Sequence, residues 1–254
     1  MLNIVIPMAG RGSRFKDEGY ELPKPLIPVM GKPMIQLVID NLRPSRAHRF
    51  FFICLEEHLV NYGLAEKLRE WAPGCEVIAL NEVTQGAACT VLLTEKWINN
   101  DSPLLIANCD QWISADTDVF LDCSDHPSVD GLIMTMKAHD SKWSFVRFNA
   151  EGAIDAVLEK QVVSDEATVG IYHFKKGSDF VWGAHQMIRE NRRVNGEFYV
   201  APVYNELLSR GAKLDVFNIG TVGHGMHGLG IPSDLSDFLR ASPALSGKGL
   251  PQHA

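Results

Sequence analysis

Short β-branched apolar runs alternate along this chain with longer segments whose apolar positions recur at helical spacing. "LNIVIP" (2–7) is apolar at nearly every position, the pattern of a strand buried on both faces. In "PMIQLVIDNL" (33–42), Pro33 opens a helix whose apolar residues at 34, 35, 38, 39 and 42 share one stripe. "RFFFICL" (49–55) and "CEVIAL" (75–80) read as strands, with helices over 56–71 and 86–98. "PLLIANCD" (103–110) is a strand that ends on a carboxylate. This regular alternation predicts parallel βαβ units with right-handed crossovers.

The pattern then changes. "DGLIMTM" (130–136), "SFVRFNAEGAIDAVLEK" (144–160) and "TVGIYHF" (168–174) are strand-like, with a turn at Asn149–Gly152 that implies antiparallel additions. Helices are expected over 177–191 and 198–211, and a late strand over 214–220. The acidic stretch "DTDVFLD" (116–122) reads as a solvated helix face. The last fourteen residues, 241–254, are small, polar and rich in Pro and Gly, the composition of a loose tail. No linker divides the rest, so residues 1–240 are read as one domain, with a first half (1–125) and an added second half (126–240).

Composition narrows the function classes. The 254 residues are 46% hydrophobic and 22% charged, as in an ordinary globular protein, and the net charge of −7 argues against a nucleic-acid partner. Five cysteines without CxxC spacing suggest neither a disulfide framework nor a structural zinc site. The absence of a leader-like opening and of any 18-residue apolar run predicts a cytoplasmic protein with no membrane partner. A homo-oligomer is left open.

Against that acidic background, "GRGSRFKDEGYELPKPLIPVMGKPMI" (10–35) is basic, glycine-bearing and stiffened by proline. A strand followed by Gly-x-Gly turns successive backbone N–H groups toward one point at the C-terminal edge of a parallel sheet, a setting for anionic oxygens. Arg11, Arg14 and Lys24 can neutralise several phosphate charges there. The stretch is neither a dinucleotide fingerprint, which needs a third glycine, nor a Walker loop, which needs Gly-Lys-Ser/Thr.

"GRGSRF…PKPLIPVMGKPMI" resembles the signature of the sugar-phosphate nucleotidyltransferases. The resemblance covers most of residues 1–240 and is strongest in 1–40. It implies a Rossmann-like, mostly parallel sheet flanked by helices, with antiparallel additions in the second half. It also implies that the loop Ala9, Gly10, Arg11, Gly12 and Ser13 wraps a nucleoside triphosphate, with Arg14 and Lys24 on its phosphates. "TQGAACT" (84–90) is similar to the family's base-reading segment and assigns Gln85, Gly86 and Ala87 to the nucleobase. "LLIANCDQ" (104–111) places Asp110 where the family binds Mg²⁺, the cofactor implied. "VLEKQVVSDEATVGIYHF" (157–174) assigns Glu159, Lys160 and Gly170 to the acceptor, and "NGEFYVAP" (195–202) adds Glu197 and Tyr199. Adjacent residues on a strand point to opposite faces, so Glu159 and Lys160 can both serve only if the strand bends or ends between them.

One departure stands out. The family's second metal-binding Asp aligns with Gly228, so the metal loses a ligand, or His224, His227, Asn218 or water substitutes, or the acceptor supplies more ligands. Histidine suits Mg²⁺ poorly, which favours Asp110 with waters, and Asp234 is read as the cap of a final helix.

The activity implied is Mg²⁺-dependent transfer of a nucleoside monophosphate from an NTP to a small phosphorylated acceptor, with release of pyrophosphate. The acceptor is a sugar 1-phosphate or a non-sugar phosphate such as phosphoglutamine with CTP, in surface-polysaccharide precursor synthesis. Two competing classes are a GT-A type glycosyltransferase, for which "CDQW" (109–112) is a degenerate DxD, and a catalytically silent nucleotide binder.

Overall fold

The structure is a computed structural model and describes residues 1–245. Strand β1 (Leu2–Pro7) leads through the opening loop to a one-turn helix α1 (Ser13–Asp17), a 3-10 turn at Lys24–Leu26 and a small hairpin, β2 (Pro28–Val29) and β3 (Lys32–Pro33). Helix α2 (Met34–Leu42) follows, then β4 (His48–Leu55), α3 (Glu56–Tyr62), α4 (Leu64–Trp71) and β5 (Glu76–Leu80). Two short helices, α5 (Ala87–Leu92) and α6 (Glu95–Ile98), lead to β6 (Leu104–Ala107), β7 (Gln111–Ile113) and α7 (Thr117–Ser124). The second half runs β8 (Gly131–Lys137), β9 (Ser144–Phe148), β10 (Ile154–Glu159), β11 (Glu166–Phe174), α8 (Gly177–Arg189), α9 (Val203–Ser209), β12 (Leu214–Val222), β13 (Gly225–Gly228) and α10 (Pro232–Leu245).

One sheet crosses both halves in the order β5-β4-β1-β6-β11-β8-β12-β13-β7, and the β9–β10 hairpin joins it along β11. β5, β4, β1 and β6 are mutually parallel, as the strand–helix alternation predicts. β11 enters antiparallel between β6 and β8, and so welds the second half to the first. Both faces are covered: Ile4 and Ile6 point into one apolar layer with α2, α4 and α7, while Val5 points into the other with α5, α8 and α9. A third cluster, including Phe15, Ile27, Met34, Trp112, Leu235 and Phe238, seats the opening loop against α10 and the far sheet edge.

Four predicted elements come out shorter or divided. The helix expected over 56–71 is interrupted at Gly63. That over 86–98 breaks at buried Thr94, whose hydroxyl donates to the Val91 carbonyl at 2.7 Å and competes with the helix ladder. The helix expected over 198–211 begins only at Val203, because Phe198 spends its backbone groups elsewhere: its N–H donates to Gln85 O at 2.9 Å and its carbonyl accepts from Ala88 N at 3.0 Å. The strand expected over 103–110 stops at Ala107, so Asp110 lies in the β6–β7 connection. In the segment read as a tail, residues 241–245 continue α10, and residues 246–254 lie outside the described residues. Among the described residues no helix is long and apolar enough to cross a membrane.

His173 on β11 is 3% exposed, and its Nδ1 has no partner. Burial lowers its pKa from 6.5 to about 4, against the pull of Asp125 and with help from Arg46 and Lys175. The unfolded chain therefore binds the extra proton between these values, and stability falls as pH drops from about 6.5 toward 4, by roughly 3 kcal/mol at full titration. Urea denaturation at pH 7, 5.5 and 4.5 should show His173→Leu losing less stability over this range than the parent.

Candidate active site

The opening loop leaves β1 with its polar backbone unspent. None of the N–H groups from Ala9 to Ser13 finds an acceptor among the described residues, and Arg11 and Arg14 are exposed without an ion pair. Five consecutive free donors beside two guanidinium groups make a concavity for anionic oxygens. Gly12 is left-handed, and a Cβ there would sit 3.2 Å from Lys24 Cβ, so the loop folds directly onto Lys24 at the start of the 3-10 turn that follows extended Pro23.

Lys24 Nζ donates to Asp110 Oδ2 at 2.7 Å, with both side chains largely covered, at 18% and 23% exposure. Burial opposes the lysine's charge, but Asp110 outweighs it and holds the Lys24 pKa above the usual lysine range. Asp110 itself is packed close: a Cβ on Gly230 would lie 2.6 Å from its Oδ2.

Gly228 is likewise crowded, by a second carboxylate: a Cβ there would lie 2.8 Å from Asp234 Oδ2. Asp234 sits in the first turn of α10, half-buried, and accepts no hydrogen bond among the described residues, so it is not the helix cap the sequence suggested. Its pKa is raised, first by burial and also by Asp237 and Asp110, with Lys142 and Arg14 pulling the other way. Of the other candidates for the missing ligand, Asn218 donates to Glu166 Oε2 at 2.8 Å and accepts from Gly220 N at 2.9 Å, and His227 is buried against the rings of Trp112 and Phe238. Among the described residues no group of three or more His, Cys, Asp or Glu gathers as a metal centre.

At the other side of the loop, Arg193 Nη2 donates to Gln85 Oε1 while its guanidinium lies 4.1 Å from the Phe198 ring. An arginine has no acceptor, so the amide oxygen of Gln85 is committed and its Nε2 donors remain for a base edge. Gly86 adopts φ +132°, and a Cβ there would come within 2.4 Å of Phe198 O, which only glycine permits.

A cavity of about 280 Å³ opens beyond Ala87, lined among others by Trp143, Glu159, Gly170, Tyr172 and Tyr199. The geometric objection to Glu159 and Lys160 acting together is met by the backbone. β10 ends at Glu159, and Lys160 takes a left-handed φ of +56° with its N–H on Trp143 O at 3.0 Å. Lys160 Nζ then donates to Tyr199 Oη at 2.9 Å, while buried Glu159 accepts from Ser144 Oγ. Burial raises the Glu159 pKa, partly offset by that hydroxyl and by Lys160. Glu197 is exposed and does not line the cavity, though its charge is felt by Glu159 and Lys160.

Comparison with known proteins gives the family. A family model described as nucleotidyl transferase matches residues 4–197. The chain belongs to the nucleotidyl transferase family. Within it, the chain is similar to the bifunctional protein GlmU of Geobacillus sp. (strain WCH70), 25% identical over 224 residues that cover 84% of this chain and 46% of that protein. The GlmU of Desulfotalea psychrophila is 28% identical over 228 residues, covering 80% and 59%. The chain thus spans about half the length of the curated relatives it matches. Among solved structures, a nucleoside-diphosphate-sugar pyrophosphorylase from Vibrio cholerae RC9 superposes with a TM-score of 0.79 at 27% identity, covering 93% of this chain and 99% of that one. An inositol-1-phosphate CTP transferase from T. maritima shares the fold, with a TM-score of 0.74 at 16% identity over 98% of both chains.

Reading this nucleotidyl transferase from sequence took Asp234 for a helix cap and did not single out Arg193, Gln111 or the Trp143–Ser144 edge of the cavity. The last was within reach, because the turn at Asn149–Gly152 brings Ser144 opposite Glu159, subject to the irregularity between Ile154 and Ala156. Gly170 sits at φ +82° within the register shift of β11, and a Cβ there would lie 2.1 Å from Asn108 Nδ2. Gly170→Ala should lower stability by about 1–3 kcal/mol in chemical denaturation, through left-handed strain and the displaced Asn108.

Proposed function

We propose that this chain transfers a nucleoside monophosphate from an NTP to a phosphorylated acceptor, a sugar 1-phosphate by preference, and releases pyrophosphate. The observation that carries the reading is the juxtaposition of the donor-rich opening loop, the Lys24–Asp110 pair and a separate cavity whose lining residue Tyr199 accepts a hydrogen bond from Lys160. The pyrophosphorylase likeness along nearly the whole chain supports a nucleotide-sugar product, the class of building block that polysaccharide assembly consumes. A GT-A type glycosyltransferase is disfavoured by the family match.

In this reading the free N–H groups of Ala9–Ser13, with Arg11 and Arg14, bind the β- and γ-phosphates, and Gln85 Nε2 meets the base. Lys160 steers the acceptor phosphate toward the α-phosphorus, and Lys24 exchanges Asp110 for an α-phosphate oxygen. An acceptor phosphate oxygen forms the new bond to the α-phosphorus. The bond to the bridging oxygen breaks, and its electron pair leaves with pyrophosphate. The nucleophile is already an anion, so no general base is needed, and alignment and charge neutralisation carry the rate.

Mg²⁺ fits the residues present: Asp110 and Asp234 are hard oxygen donors, one set against Gly230 and the other against Gly228, where a side chain would fill the space. These two carboxylates would hold the ion in place of the Asp that the family carries at position 228. When bound, it supplies charge neutralisation on the phosphates.

Pyrophosphate release over four NTPs and a panel of sugar 1-phosphates tests the function. One combination should turn over, and Asp110→Ala should abolish its Mg²⁺-dependent rate. Lys160→Met should raise the acceptor KM tenfold or more with little change for NTP. Titrating Mn²⁺ by electron paramagnetic resonance should show Asp234→Asn weakening ion uptake in the presence of NTP. Full activity of Asp110→Ala would remove the metal from the scheme, and equal KM effects in Lys160→Met would remove that lysine from the acceptor.

A further inference from the structure

Arg193 is held at each of its guanidinium nitrogens. Nε donates to Asn191 Oδ1 at 2.7 Å, Nη1 to Gly196 O at 3.0 Å and Nη2 to Gln85 Oε1, with the guanidinium 4.1 Å from the Phe198 ring. The segment that carries it is folded tightly around these contacts. Val194 and Glu197 exchange two backbone hydrogen bonds of 3.0 Å, and Asn191, Asn195 and Gly196 are left-handed, at φ +51°, +49° and +82°. The segment is also tied to the backbone around Gln85: Phe198 N donates to Gln85 O at 2.9 Å, and Phe198 O accepts from Ala88 N at 3.0 Å. The guanidinium is thus fixed relative to Gln85, although both side chains lie at the surface.

Bracing its own loop would require only the contacts with Asn191, Gly196 and Phe198. The remaining one reaches a side chain 108 positions earlier. A surface carboxamide without such a partner turns over readily, because its oxygen and NH₂ ends are nearly equal in shape. An arginine only donates, so the Gln85 oxygen must face it, and Nε2 is left as the end without a partner among the described residues.

We propose that Arg193 is a positioning residue that keeps Gln85 from turning over, and so makes it a polarity filter that separates amino bases from keto bases. The inference rests on the nucleotidyl-transfer reading, in which Gln85 Nε2 meets the base, here at its Watson–Crick edge. Along that edge cytosine and uracil have the same shape and opposite polarity. N3 accepts in cytosine and carries a hydrogen in uracil, and position 4 is an amino group in one and a carbonyl in the other. Adenine and guanine are opposed in the same way at N1 and position 6. A glutamine free to turn over serves either member of such a pair. Held with Nε2 toward the base, it serves one, and with the other it sets donor against donor.

The test uses the full chain with the acceptor it turns over, and reads kcat/KM by pyrophosphate release for matched pairs: CTP and UTP, dCTP and dTTP, ATP and GTP. Within the pair it uses best, the parent should favour one member at least thirtyfold. Arg193→Met should bring that ratio below about threefold, the loss of about one hydrogen bond's discrimination, with the purine-to-pyrimidine ratio and the acceptor KM within twofold of the parent. Gln85→Glu retains the contact with Arg193 but turns an acceptor oxygen toward the base, so it should reverse the preference within the pair, and it decides the matter even if Arg193→Met does not fold. Equal use of both members by the parent, an unchanged ratio in Arg193→Met, or an unreversed preference in Gln85→Glu overturns the inference and leaves nucleotidyl transfer standing. So does a tenfold rise in the acceptor KM of Arg193→Met, which would put the guanidinium on the acceptor phosphate. No pyrophosphate from the parent with any NTP overturns both.

Discussion

The contact between Lys24 and Asp110 is the constraint around which this site is organised. It joins the proline-stiffened opening segment to the β6–β7 connection across the mouth of the sheet, and both charges are mostly withdrawn from water. Desolvating such a pair is costly, and removing one member would strand the other, a loss on the order of 3 kcal/mol. The pair is thus a poor choice if stability were all that mattered. Its placement makes sense when both groups have second partners: phosphate oxygens for the lysine and a cation for the carboxylate. In the proposed function, the free protein holds each charge against the other until substrate arrives.

Around that pair, close backbone approach takes the place of side-chain bulk. Gly12 lets the loop lie on Lys24, and Gly230 and Gly228 leave room for the carboxylates of Asp110 and Asp234. The nucleotide and acceptor regions are also mechanically joined. Phe198 pairs its backbone with Gln85 and Ala88, Arg193 grips the Gln85 side chain, and Tyr199 one residue on receives Lys160. A single stretch, 193–199, therefore touches Gln85, Ala88 and Lys160 at once, linking the groups proposed for the base and the acceptor.

Much of this was legible in the chain before folding. Apolar periodicity gave the parallel half, because β1, β4 and β6 are buried on both faces and their helices on one. The Asn149–Gly152 turn gave the hairpin. The opening loop was legible because glycine, arginine and proline constrain the backbone locally. What escaped depends on contacts between distant segments. The helix expected from Phe198 lost its first turn to hydrogen bonds with residues more than a hundred positions earlier. Asp234 sits where helix-start statistics suggest a cap, yet its carboxylate turns to the space left by Gly228, which no local pattern reveals.

The central claim is that the Lys24–Asp110 contact exchanges partners when a metal-bound triphosphate enters. Calorimetric titration of the parent and of Lys24→Met with each common NTP, with and without Mg²⁺, tests it directly. One NTP should bind at a single site in the parent, more tightly with Mg²⁺ than without, and at least tenfold more weakly in Lys24→Met. Uptake of no NTP by the parent, or equal binding by the variant, would contradict the account.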